Sequence, residues 1–234
     1  MGEKLEKNEP AAGKLVPRRL LGVVLAGGAS RRFGGEKALF PLAGRAMAEW
    51  ALDAVVPWTL EQVVITNDLG VGEALRVRSR PDSIPGMGPM GGLHTALTWA
   101  GEEGMDGVFL LACDLPLVSP DLVGRILDSW PPNAPTVVPG SPGPLGFEPL
   151  CGGYDLSCLP SIEEVIGTGR LAMDNLLLQP GGFRTPLSVL GSREELTTAF
   201  MNVNTAETAR VAQGLLLERS LSPAGFGLNQ EDMP

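Results

Sequence analysis

The 234-residue chain is 44% hydrophobic and carries a formal net charge of −9, enough apolar content for one sizeable α/β core. An acidic balance without a basic stripe argues against a nucleic-acid binder, since phosphate backbones are held by distributed Lys and Arg; the expected anionic partner is small. Cys113, Cys151 and Cys158 are odd in number and lack CxxC spacing, so neither a disulfide framework nor structural zinc is supported, and a reducing cytoplasm fits.

Residues 1–17 and 219–234 have the Pro, Gly and polar content of flexible tails, leaving 18–218 as a single domain. No export signal or spanning run appears in the sequence, and no membrane partner is expected. Within the domain, apolar runs of strand length alternate with segments of helical period, the pattern of βαβ units around a mostly parallel sheet. The first strand is Leu20–Ala26, followed by a glycine-rich turn. Ala46, Met47, Trp50, Ala51, Ala54 and Val55 mark the buried face of a helix over 46–56. Gln62–Thr66 reads as a second strand ending at Asn67-Asp68, and Gly92–Ala100 as a helix. Gly107–Cys113 is apolar without alternation, as in a central strand covered on both faces. Ser119-Pro120-Asp121 is a helix start, with Ser as the N-cap and Pro at the first helical position, for a helix to about Trp130. Short strands follow near Thr136–Val138 and Leu150–Tyr154, with their pairing left open, and helices near 155–166 and 171–178. Phe200–Asn204 reads as a late strand, with Thr205 capping a last helix to about Leu217.

The turn after the first strand holds two Gly-Gly pairs and three cations, Arg31, Arg32 and Lys37. Glycines bring bare N–H groups close to an anion, and the cations supply counter-charge, which makes a phosphate cradle. It is not a Walker A, because no Gly-Lys-Ser/Thr follows at the required interval. Asp114 ends the apolar strand, where a carboxylate can hold a magnesium ion with few protein ligands; its bland alternative, capping the next helix, is weakened by Ser119. Asn202 and Asn204 end the late strand and offer an amide oxygen to a metal, although Asn there is also a common turn former. Gly86-Met-Gly-Pro-Met-Gly91 has the letters of a dinucleotide fingerprint but follows no strand. It reads either as a glycine turn admitting a flat base, with Asp82 accepting hydrogen bonds from that base, or as a plain structural loop. His94, Tyr154 and the cysteines are expected to pack without chemistry.

Leu25-Ala-Gly-Gly-Ala-Ser-Arg-Arg-Phe-Gly-Gly-Glu-Lys37-Ala-Leu, Pro85–Leu93, Ala112-Cys-Asp-Leu-Pro116 and Phe200–Thr205 together resemble the molybdenum cofactor guanylyltransferases, the MobA family, over about residues 20–212. The resemblance implies a three-layer, Rossmann-like nucleotidyltransferase fold and a magnesium-dependent enzyme. Its reaction transfers GMP from GTP to the terminal phosphate of molybdopterin or its molybdenum form, releasing pyrophosphate. By motif position it implies backbone contacts to GTP from Leu25, Ala26, Gly27 and Gly28, phosphate binding and catalysis by Arg32 and Lys37, and base or ribose contacts from Asp82. It implies metal and GTP binding by Asp114, with Asn204, or Asn202, completing the metal or phosphate site. Other cofactor-biosynthesis proteins or acceptor enzymes are the further partners it suggests. Glu36 stands where the family usually has Asp, Phe33 where it has Met, and Thr66 at its nucleotide-contacting Asn, with Asn67 next in sequence. Two other readings use the same residues: a cytidylyltransferase or sugar-phosphate nucleotidyltransferase, separated by CTP against GTP binding, and a non-catalytic nucleotide-binding protein, separated by pyrophosphate release.

Overall fold

The computed structural model describes residues 18–27, 35–169, 171–173 and 181–221. Leu20–Leu25 forms β1, all six residues buried. A small hairpin follows, β2 (Pro41–Leu42) on β3 (Arg45–Ala46), then α1 (Met47–Val55), β4 (Glu61–Ile65), α2 (Leu69–Leu75) and β5 (Arg78–Arg80). Helix α3 (Gly88–Glu102) leads into β6 (Gly107–Ala112), again buried on both faces. Helix α4 (Pro120–Asp128) starts where Ser119 Oγ accepts from the Leu122 N–H at 3.1 Å, the cap expected from its sequence. The second half contributes β7 (Thr136–Pro139), β8 (Cys151–Asp155), α5 (Leu159–Gly167), β9 (Phe183–Thr185), α6 (Leu187–Leu190), α7 (Arg193–Ala199) and α8 (Ala206–Leu221).

Seven strands form one sheet in the order β5-β4-β1-β6-β8-β7-β9. Every pairing is parallel except the two made by β8, which runs against β6 and β7. One face packs under α1 and α4 through residues such as Val24, Val64, Phe109 and Leu111. The other packs under α3 and α5 through Val23, Ile65, Leu110 and Tyr154. These are the three layers of an α/β doubly wound domain. The chain moves from β1 outward to β4 and β5, then returns across β1 to β6. The junction of β1 and β6 is therefore the topological switch point, where open α/β sheets bind ligands beyond the carboxyl ends of their strands.

Two glycines in β8 follow from packing. A Cβ at Gly153 would overlap the Trp130 ring, and one at Gly152 would press on the Val137 carbonyl at 2.6 Å. Phe200–Asn204 is not a strand. Its burial does not alternate, since Phe200 and Val203, three residues apart, are buried while Asn202 and Asn204 are exposed; the segment is joined to the sheet end through the Val203 N–H to the Asp114 carbonyl at 2.9 Å and forms no ladder. Helix α8 runs to Leu221, so Arg219–Leu221 belong to a helix and not to a tail. Leu171–Met173 are not helical, and the remainder of the helix expected over 171–178, like the tail over 1–17, lies outside the described residues.

Candidate active site

At the carboxyl end of the sheet the strand ends open into a cleft of about 580 Å³. Backbone bonds fix its floor: the Ala26 N–H donates to Ile65 O at 2.9 Å, the Cys113 N–H to Leu25 O at 3.0 Å, and the Thr66 N–H to Arg80 O at 2.9 Å. Leu25, Gly27, Lys37, Asn67, Asp82 and Asp114 all line it. Because the Ala26 N–H is engaged, a nucleotide meeting this stretch through N–H groups meets it from Gly27 onward. Gly28 and Arg32 lie outside the described residues.

On the β6 side of the cleft, Lys37 Nζ donates to Asp114 Oδ2 at 2.8 Å and to Asn204 Oδ1. Lys37 opens a single 3₁₀ turn after the glycine stretch, Asp114 follows β6, and Asn204 is carried there by the Val203–Asp114 backbone bond. The amide oxygen that reaches the Lys37 ammonium is that of Asn204. Asp114 and Asn204 thus turn oxygens toward one cation, and a carboxylate plus an amide oxygen is a donor set that suits Mg²⁺ when phosphate and water oxygens supply the rest. Among the described residues no group of three His, Cys, Asp or Glu gathers to hold a metal without such help.

On the β4–β5 side, Asn67 Oδ1 accepts from the Asp82 N–H at 3.0 Å and Asn67 Nδ2 approaches Asp82 Oδ2 at 3.4 Å. Partial burial raises the Asp82 carboxyl above its ordinary range, opposed by the Asn67 hydrogen bond. Thr66 is buried, its hydroxyl accepting from the Asp68 N–H at 3.2 Å, so Asn67 brings the amide to the cleft. Gly92 sits under this wall; a Cβ there would press on Leu25 Cδ2 at 2.8 Å.

No local sequence signal marks Glu148, which lies in an irregular Pro- and Gly-rich stretch without periodicity. The Ala112 N–H donates to Leu150 O at 2.8 Å, which seats Glu148 near the end of β6. Burial chiefly, with a smaller contribution from the Asp114 charge, pushes its carboxyl up to about 7. Burial likewise pushes the thiols of Cys113 and Cys158 up to about 12, so they stay protonated and unreactive at neutral pH. Tyr154 is buried with its hydroxyl donating to Pro149 O at 2.6 Å. His94 packs on α3 beside Ser83 and Glu163.

A family model described as the MobA-like NTP transferase domain matches residues 22–179. The chain belongs to the MobA-like NTP transferase family. Among relatives in this family, the molybdenum cofactor guanylyltransferase of Desulfosudis oleivorans is 30% identical, the match covering 83% of this chain and 95% of that protein. The enzyme of the same name from Cereibacter sphaeroides is 28% identical over 85% of this chain and 97% of its own. The crystal structure of molybdopterin-guanine dinucleotide biosynthesis protein A from Archaeoglobus fulgidus superposes with a TM-score of 0.69 at 24% identity, covering 85% of this chain and all of that one. It shares the MobA-like fold, with the mostly parallel sheet described above.

Proposed function

We propose that this MobA-like enzyme transfers GMP from GTP to the terminal phosphate of molybdopterin or its molybdenum form, giving the guanine dinucleotide and pyrophosphate. The observation that carries the reading is the convergence of Lys37, Asp114 and Asn204 at the β1–β6 switch point, facing a glycine-lined wall closed by Asn67 and Asp82. A triphosphate laid along the cleft places its charge beside the Lys37 ammonium and its base on the Asp82 side. Phosphoryl-type transfer is achieved mainly by positioning and charge neutralisation, which is what this set of side chains can supply. Asp114 and Asn204 would hold Mg²⁺, which when bound adds positive charge at the triphosphate oxygens. Lys37 holds the phosphates against that pair of oxygens and compensates charge developing toward pyrophosphate. The attacking group is itself a phosphate oxygen, so no protein nucleophile is required, in keeping with the protonated cysteines. Asp82 accepts from the N–H donors on the guanine edge, a contact that cytosine, with a single exocyclic donor, meets less fully.

The cytoplasm is the compartment that suits free thiols and a GTP substrate, and a protein that hands over or receives the labile pterin is the expected further partner. The test is Asp114→Asn, which keeps size and removes charge: turnover is expected to fall by on the order of a hundredfold or more with the fold intact. A rate close to that of the unaltered enzyme would remove Asp114 from the mechanism. Tighter binding of CTP than of GTP would replace the guanylyl reading with the cytidylyl one.

A further inference from the structure

One buried hydroxyl joins the two halves of the base-side wall. Thr95 on α3 is 5% exposed, and its Oγ1 donates to Gly91 O at 3.0 Å while accepting from the Ser83 N–H at 2.9 Å; Ser83 Oγ lies 2.9 Å away as a second partner. A hydroxyl has one proton and two lone pairs, so Thr95 is fully engaged. Ser83 follows Asp82 directly, and Gly91 precedes Gly92, which packs beside the same carboxylate: a Cβ there would press on Leu25 Cδ2 at 2.8 Å and stand in ordinary contact with Asp82 Oδ1 at 3.5 Å. At Gly91 a Cβ would press on the Ile84 carbonyl at 3.0 Å, so the loop after Asp82 is seated hard on the helix at the same place. Ser83 Oγ also reaches His94 Nδ1 at 3.3 Å.

We propose that Thr95 is a positioning residue for base selection: without touching the nucleotide, its hydroxyl fixes the Asp82–Ser83 corner so that the Asp82 carboxylate meets the guanine edge in register. This rests on the assignment of Asp82 to guanine made above. Ser83 is itself exposed, so water can satisfy its N–H when the link is cut, and the loss falls on alignment more than on stability.

The experiment is the dissociation constant of GTP and of ATP, each with Mg²⁺, for the unaltered enzyme, Thr95→Val, Thr95→Ser and Ser83→Ala, alongside thermal midpoints. Thr95→Val is expected to weaken GTP by about tenfold and leave ATP unchanged, Thr95→Ser to restore GTP binding, and Ser83→Ala, which cuts one link from the exposed side, to weaken GTP by about threefold. Unchanged GTP binding in Thr95→Val or in Ser83→Ala overturns the proposal. So does equal weakening of GTP and ATP, or a Thr95→Ser variant as weak as Thr95→Val, since either marks general packing. An unaltered enzyme that binds GTP and ATP equally overturns the guanine assignment itself, and the inference with it.

Discussion

Lys37 is held between two oxygens that the chain delivers from positions 77 and 167 residues away, so its ammonium is placed by the fold and not by its local turn. Lys37→Met keeps the length of the stem and removes the charge; it is expected to raise the GTP KM and lower kcat together, by on the order of tenfold or more each, as when a phosphate-neutralising group is lost. An effect confined to the thermal midpoint would make Lys37 structural. Glu148 gives a pH prediction. Its carboxyl is neutral in the fold up to about 7, against an ordinary value of 4.5. Between those values the unfolded chain releases a proton that the folded chain retains, so this group's contribution favours folding at low pH and is lost as pH rises through that window. Glu148→Gln removes the ionisation. It is expected to match the unaltered protein in stability at pH 4 and to exceed it at pH 8, by on the order of 3 kcal/mol; urea unfolding at the two pH values checks it, and an equal difference at both would contradict it.

Among the elements, Ser119 caps α4 and does not line the cleft. Ser119→Ala should cost about 1 kcal/mol and leave kcat/KM unchanged, measured by denaturant unfolding and steady-state rates. A stability equal to that of the parent would mean that the Leu122 N–H finds water as a partner of equal worth. Such caps, with β1 and β6, are legible in the sequence because their signals are local: six apolar residues in a row, or Ser-Pro-Asp before a helix. Strands β5 and β9 have three residues each and exist through remote pairing, and the glycines of α2 hide a helix whose start is fixed by Asp68 Oδ1 accepting from the Gly70 N–H at 2.9 Å. Phe200–Asn204 carries apolar residues of strand type but buries Phe200 and Val203, three apart, and its link to the sheet runs through Val203 to Asp114. Within the site, Lys37, Asp114 and Asn204 could be singled out as residue types at strand ends and loops. Their meeting at one point, the seat of Glu148 beside β6 and the Thr95–Ser83 link depend on packing across the sheet, which no local pattern encodes.

For the whole molecule, a cleft at the centre of one sheet couples ligand binding to global stability. GTP with Mg²⁺ at about a hundred times its dissociation constant is expected to stabilise the fold by about 2.7 kcal/mol, visible as a rise in thermal midpoint that CTP does not match at equal concentration. Among the described residues no helix is long and apolar enough to cross a membrane. GMP transfer to a phosphate acceptor depends on the meeting of Lys37, Asp114 and Asn204 at one point. The most direct test incubates the protein with molybdopterin, Mg²⁺ and GTP labelled at the α-phosphorus, and follows the label. Label is expected in a guanine dinucleotide, with one pyrophosphate released per transfer and both lost in Asp114→Asn; folded protein that binds GTP yet leaves the label in GTP when acceptor is present would rule out GMP transfer.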